Sequence, residues 1–281
     1  MGIVALAGVM GIGVTAVTAS VAGAAAKSPA NYHNKLSSNT NGWCTPAQGC
    51  NGLGGNASYY GTIDIVKPSY SNNGGYGSAA PAPAGQRKFA RITGAGLDQD
   101  GPAGCPQPGY DTALNTPYCE GPYVLYGGAG TDSVFPANGF NSSIKVYIDP
   151  AWADANPGQF LEWDVGLNNT SGQYLNDNGF TMCSENSGTG GFYVNLNQFD
   201  SCNPSSEVLT VAGWYTLQQD FQSVGGAITV TYTLTPPTGP AWTSVVNTGL
   251  PTSGTGGPSY GWFAAEDVQG LPVADISLHR N

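Results

Sequence analysis

The sequence predicts an all-β fold: a two-sheet antiparallel sandwich of the jelly-roll or concanavalin-like kind, stapled by disulfides. Three observations carry that expectation. First, two long runs, Gly213–Phe221 and Ala227–Leu234, flank Gly225-Gly226. In the second run Ile228, Val230, Tyr232 and Leu234 alternate with Thr229, Thr231 and Thr233, the period-2 pattern of a strand with one face on a core and one in water. In the first run Tyr215, Leu217 and Phe221 share a parity, and Gln219 is the exception. Gly-Gly between two such runs is a hairpin signal. Second, further short apolar runs recur between Gly-, Pro- and Asn-rich breaks, about twelve strands in all with no helix beyond one turn, the spacing of a sandwich. Third, only 9% of residues are charged while 11% are aromatic. Charge is far below the usual ~25%, yet the aromatic content excludes disorder.

The elements follow in order. Residues 2–26 carry no charge and end in Ala24-Ala25-Ala26, which reads as a cleaved signal peptide and a secreted product. No basic residue precedes the apolar run. The alternative is a retained helix, since the stretch is long enough to span a bilayer. Residues 27–86 are Asn-, Gly- and Pro-rich, with a first strand near Ser58–Val66 and a surface loop after it. Residues 87–281 form the sandwich domain. Its first strand is Lys88–Thr93, then a Gly/Pro loop over residues 94–120, then Tyr123–Tyr126. Ile144, Val146 and Ile148 mark the next strand. Asp149-Pro150 opens a single helical turn, with Asp149 as N-cap and Pro150 at the first position. Strands at Phe160–Leu167, Phe180–Cys183, Phe192–Asn197 and Glu207–Val211 precede the central hairpin. Strands at Ala241–Val246, Tyr260–Phe263 and Val273–Leu278 follow it.

The six cysteines fit an exported chain. Loop closure is cheapest between near neighbours, which favours Cys44–Cys50, Cys105–Cys119 and Cys183–Cys202. None lies in a C-x-x-C spacing, and the two histidines, His33 and His279, stand far apart, so a zinc site is not indicated. Net charge is −10, and eight basic residues are scattered singly. That argues against nucleic acid and, once the signal is cleaved, against an anionic membrane. A neutral polysaccharide or glycan is the partner that fits. Oligomeric state is not written in the sequence.

Four motifs, Val146-Tyr-Ile-Asp-Pro-Ala-Trp152, Gly213-Trp-Tyr-Thr216, Tyr260-Gly-Trp-Phe263 and Val273-Ala-Asp-Ile-Ser-Leu278, give the stretch from Val134 onward its likeness to known sequences. It resembles a family of secreted bacterial proteins of unassigned function. The resemblance implies a concanavalin A-like or jelly-roll sandwich, a class that holds both lectin modules and polysaccharide-cleaving enzymes. One sandwich hosts many unrelated functions, so the class alone assigns none.

Three sets of residues are candidates for chemistry. In Leu161-Glu-Trp-Asp-Val-Gly-Leu167, Glu162 and Asp164 share one strand face, about 6–7 Å apart. This is similar to the first two acids of the Glu-x-Asp-x-x-Glu motif in laminarinase-type sandwiches. There the first acid is the nucleophile and the last the general acid/base. Gly166 and Leu167 stand where the third acid belongs, and retaining hydrolysis needs a second carboxyl ~5–5.5 Å away that keeps its proton. Two solvated acids on an outer face is the plain alternative. Asp98-Gln-Asp-Gly101 is a weak calcium motif. A turn stabilised by Asx hydrogen bonds is the plainer reading. No other cofactor is called for. Tyr193, Asn195 and Asn197 alternate with Phe192, Val194 and Leu196, a polar-aromatic face on which a sugar can lie. Large aromatics usually fill the core, and Trp163 and Trp214 are expected in it or at its rim.

No serine-nucleophile elbow, metalloprotease helix or phosphate loop is present. The sequence therefore reads as a secreted, non-catalytic, carbohydrate-binding sandwich. A polysaccharide-cleaving glycoside hydrolase using Glu162 and Asp164 is one alternative. A structural envelope protein without a ligand site is the other.

Overall fold

The structure is a computed structural model. It describes residues 31–44, 61–68, 75–94, 109–111, 116–118, 121–126, 134–184, 190–197, 207–263 and 268–281, with the backbone alone for 109–111 and 116–118. The expected signal segment, the calcium candidates Asp98 and Asp100, and Cys50, Cys105, Cys119 and Cys202 lie outside those residues. So does every expected disulfide pairing. Cys44 and Cys183 are both buried.

Two antiparallel sheets make up the fold. The larger runs β14 (Trp242–Pro251), β13 (Ala227–Thr235), β12 (Gly213–Val224), β7 (Phe140–Ile148), β16 (Leu271–Arg280), β3 (Phe89–Thr93) and β2 (Thr62–Val66), and β1 (Asn31–Asn34) also pairs with β16. The smaller runs β11 (Val208–Leu209), β10 (Phe192–Leu196), β9 (Tyr174–Ser184), β8 (Phe160–Asn169), β15 (Thr255–Trp262) and β6 (Tyr123–Val124). A separate hairpin joins β4 (Gly109–Asp111) to β5 (Thr116–Tyr118). The strand count of the two sheets, eight and six, exceeds the twelve expected, and several strands are long. The described parts of residues 27–86 pair into the larger sheet through β1 and β2.

The central hairpin forms as its alternation predicts. Tyr215, Leu217, Gln219 and Phe221 on β12, and Ile228, Val230, Tyr232 and Leu234 on β13, all face inward and are buried. Gly225 (φ 61°) and Gly226 (φ 84°) supply the two left-handed residues that a tight right-twisted hairpin turn demands. The one helix among the described residues, α1 (Pro150–Ala155), is the expected single turn: Asp149 caps it by accepting from the Trp152 amide, and Pro150 sits where no N–H is needed.

Between the sheets lies one apolar core. Phe180 of the smaller sheet meets Tyr232 of the larger edge-to-face at 5.1 Å. Phe140 stacks on Phe221 at 4.4 Å. Gln219, the exception to the apolar alternation, has a structural task. Its side-chain amide crosses the core and donates to the Asn178 carbonyl. Beside it, Tyr232 donates to the Asn197 side chain. These two polar links pin one sheet to the other at a defined register, since buried polar groups demand partners.

Within the larger sheet, β16 lies against β7 on one side and is shared end to end on the other. Leu271–Val273 pair with β3, and Ile276–His279 pair with β1. At the joint Asp275 adopts a left-handed conformation (φ 55°). Its carboxylate accepts from Lys145 at 2.5 Å and pairs with His33 at 3.0 Å. Burial works to raise the Asp275 carboxyl, but hydrogen bonds from Lys145 and His33 outweigh it and hold the group below its ordinary 3.8. A carboxyl depressed by folding adds stability that is complete above its unfolded value and is lost as pH falls toward the folded one. Asp275→Asn should therefore flatten the decline in thermal midpoint as pH falls below about 4, read by melts across that range.

Candidate functional site

The outer face of the smaller sheet carries the site. Residues paired directly across strands project to the same side, so the register assigns this face row by row. Phe160, Cys183 and Tyr193 form one row. Glu162, Thr181 and Asn195 form the next. Tyr123, Trp262, Asp164 and Gly179 form the third. Tyr260, Gly166 and Asp177 form the fourth. On the opposite face of β8, Leu161, Trp163, Val165 and Leu167 enter the core.

The sheet thus brings together two of the sequence's candidate sets, Glu162 with Asp164 and Tyr193 with Asn195. Neither acid is solvated: Glu162 is 1% exposed and Asp164 fully buried. Asn195 and Thr181 beside them are buried as well. Asn197 leaves the alternation. It follows the end of β10 with φ 51°, and its side-chain oxygen accepts from the Gly179 amide at 2.9 Å and from Tyr232. That side chain serves the link between the sheets.

Two glycines shape the face. A Cβ at Gly179 would collide with the Asp164 carboxylate, and would lie 3.4 Å from Glu162 Oε1. Both carboxylates therefore lean over the bare backbone of β9 and converge there. A Cβ at Gly166 would stand inside the Tyr260 ring, so that ring lies flat across β8. Burying two neighbouring carboxylates is costly unless each finds partners. Such an arrangement is common where a protein positions charge for a ligand.

Aromatic rings wall one side. Tyr123 stacks on Trp262 at 4.6 Å with planes 11° apart, and Tyr260 meets Tyr123 edge-on at 5.2 Å. Tyr123 and Trp262 stay half-exposed. Trp262 Nε1 donates to the Gly121 carbonyl at 3.2 Å, which fixes the indole plane.

A third acid joins the face from β9. Asp177 is 6% exposed and accepts from the Tyr260 hydroxyl at 2.8 Å. Tyr174 is its second hydrogen-bond partner. Burial pushes the Asp177 carboxyl up to about 6, against the opposing pull of those two phenols. Burial also raises Tyr174, to about 12, and Tyr260 higher still, and the charges of Asp177 and Asp164 add to both. Asp177 escapes a sequence reading because Tyr174-Leu-Asn-Asp-Asn-Gly179 is polar at both parities. Its only signal is a register that pairs it with Gly166.

Among the described residues no group of three or more His, Cys, Asp or Glu side chains is placed to hold a metal ion. No described helix is long and apolar enough to cross a membrane.

No protein-family model matches the sequence, and no curated protein matches it. Among solved structures the chain is similar to the CBM2 module of the evolved Dit of Lactobacillus casei BL23 phage J-1, at 12% identity and a TM-score of 0.34 over 88% of this chain and 96% of that one. It is similar to the metal-free form of lectin I-B4 from Griffonia simplicifolia, at 10% identity and 0.35 over 77% and 91%. It is also similar to the alginate lyase from Klebsiella pneumoniae, at 9% identity and 0.29 over 79% and 81%. Likeness at this level leaves the functional reading to the chain's own residues.

Proposed function

We propose that the protein is a secreted β-sandwich that binds a neutral polysaccharide across the outer face of its smaller sheet. One observation carries the reading: a single face gathers carboxylates, a threonine hydroxyl and a side-chain amide beside a half-exposed stack of Tyr123 and Trp262. Sugars offer apolar ring faces and a rim of hydroxyls. Aromatic rings meet the first, and the partly exposed Tyr193 hydroxyl on the same face can meet the second. The charge supports a neutral ligand. A chain of net charge −10 with three acids on this face repels polyuronates and other polyanions. Export, with removal of residues 1–26 and pairing of the six cysteines, belongs to the same proposal and rests on the uncharged N-terminal run.

The test is a binding panel on the full chain: laminarin, lichenan, xyloglucan, arabinoxylan and galactomannan by affinity electrophoresis, and cellulose and chitin by pull-down. At least one should bind. Trp262→Ala should weaken that binding about tenfold, or ~1.4 kcal/mol, with little change in melting temperature. A blank across the panel overturns the reading in favour of an envelope protein without a ligand site.

A further inference from the structure

We propose that two copies of this chain pair through β14, antiparallel and about a two-fold axis at Val245, so that their larger sheets join into one. The inference is independent of the glycan-binding reading.

Among the described strands β14 ends the larger sheet, with β13 on one side and no strand on the other. Proteins blunt such edges with charge, proline or short length. The other edges show those devices: β2 carries Asp64, and β6 and β11 are two residues each. β14 runs for ten residues, Trp242-Thr-Ser-Val-Val-Asn-Thr-Gly-Leu-Pro251, with no charge and no proline before its last position.

The hairpin fixes which way its backbone groups point. Val224 and Ala227 flank the turn at Gly225-Gly226 and bond to each other. Counting on by alternation, Thr229, Thr231 and Thr233 bond toward β12, while Ile228, Val230 and Tyr232 bond toward β14. In agreement, the Ile228 carbonyl accepts from the Thr248 hydroxyl at 2.9 Å. Val246, Ser244 and Trp242 pair with Val230, Tyr232 and Leu234, so their amides and carbonyls face β13. Those of Thr243, Val245 and Asn247 therefore point away from the sheet. Beyond them the strand caps itself: the Asn247 side chain accepts from the Gly249 amide, and Thr248 from that of Leu250. The open stretch is Thr243–Asn247, with Val245 at its centre and 63% exposed.

Charge selects a second copy as the occupant. Copies of a chain of net charge −10 repel one another, and they can meet most easily where charge is absent. Residues 221–265 contain no Asp, Glu, Lys, Arg or His. In the row of Val245 the nearest acid is Asp220, which pairs with Thr231 two strands in. The strand is also its own complement. About an axis at Val245, Val245 bonds to its equivalent and Thr243 to the equivalent of Asn247. On the other face, half-buried Trp242 and Val246, which pack against the core from this edge, meet the equivalents of Thr248 and Ser244. Such pairing uses up the edge on both copies, so the assembly closes at two.

The experiment is sedimentation equilibrium of the full chain across the micromolar range, with hydrogen exchange at both ends of it. The mass should rise from one chain to two and stop. The amides of Thr243, Val245 and Asn247 should gain protection with concentration, whereas those of Ser244 and Val246 are protected throughout. Val245→Lys places like charges opposite each other on the axis and should raise the dimer Kd at least about tenfold, with an unchanged circular dichroism spectrum. Thr243→Lys combined with Asn247→Asp sets opposite charges across the axis, keeps the Gly249 cap, and should leave the dimer intact. A chain that stays single, or grows past two, overturns the proposal. A dimer indifferent to Val245→Lys, or outward amides that exchange alike at both concentrations, overturns the assignment to β14. A dimer lost in the double variant overturns the axis at Val245.

Discussion

Trp163→Ala should cost about 3–5 kcal/mol of folding stability, the range for emptying a large aromatic site in a packed core. The indole is fully buried, 4.9 Å from the Phe263 ring and 6.4 Å from Trp43. Gly261 lies beneath it because a Cβ there would enter the ring. Neighbours held this closely cannot collapse into the space left behind. Against a domain stability of ~5–15 kcal/mol, the loss is a large fraction of the whole. A urea titration should show a lower midpoint at unchanged slope. A shift below ~1 kcal/mol would show that the core does not depend on this ring. Trp163 also stands between Glu162 and Asp164 in sequence and points the other way from both. Glycan binding should therefore fall in this variant together with stability, whereas Trp262→Ala separates the two.

Gly179→Ala should weaken glycan binding at a smaller stability cost. One added methyl group competes directly with the Asp164 carboxylate for its position and presses on Glu162. The backbone of β9 is held on both sides by β8 and β10, so the acids must move. Overpacking of this kind costs ~1–3 kcal/mol, and the variant should remain folded by circular dichroism. Its affinity for the panel's polysaccharide should fall at least about tenfold, equivalent to ~1.4 kcal/mol. Unchanged affinity would show that the convergence of Glu162 and Asp164 plays no part in binding.

These two variants also mark where the sequence was informative. The core strands could be read because their apolar residues alternate against Thr, Glu and Asp: Leu161, Trp163 and Val165 on one strand, Val230, Tyr232 and Leu234 on another. The central hairpin and the capped turn at Asp149 formed as their local chemistry requires. The first half of β9 and all of β1 could not be read. Asn31-Tyr-His-Asn34 and Tyr174-Leu-Asn-Asp-Asn-Gly179 are polar at both parities, and only their pairing partners make them strands. The same limit hid the site. Glu162 with Asp164 and Tyr193 with Asn195 were separate candidates in sequence. Their shared face is a product of register, and so is the arrival of Asp177 opposite Gly166. Gln219 looked like a flaw in an apolar pattern until its carbonyl partner on the facing sheet, Asn178, was in view.

The division of β16 between β3 and β1 has a consequence in time. Asn31 accepts from the Arg280 amide, 249 residues away along the chain, and β3 closes on Leu271–Val273. Neither β1 nor β3 can take its final place on a ribosome-bound chain that has not yet delivered residues 271–280. The β2–β3 pair and β1 must wait as unclosed edges while everything between them is made. Contacts of such long range make folding slow, and the keystone is the last of the described strands in chain order.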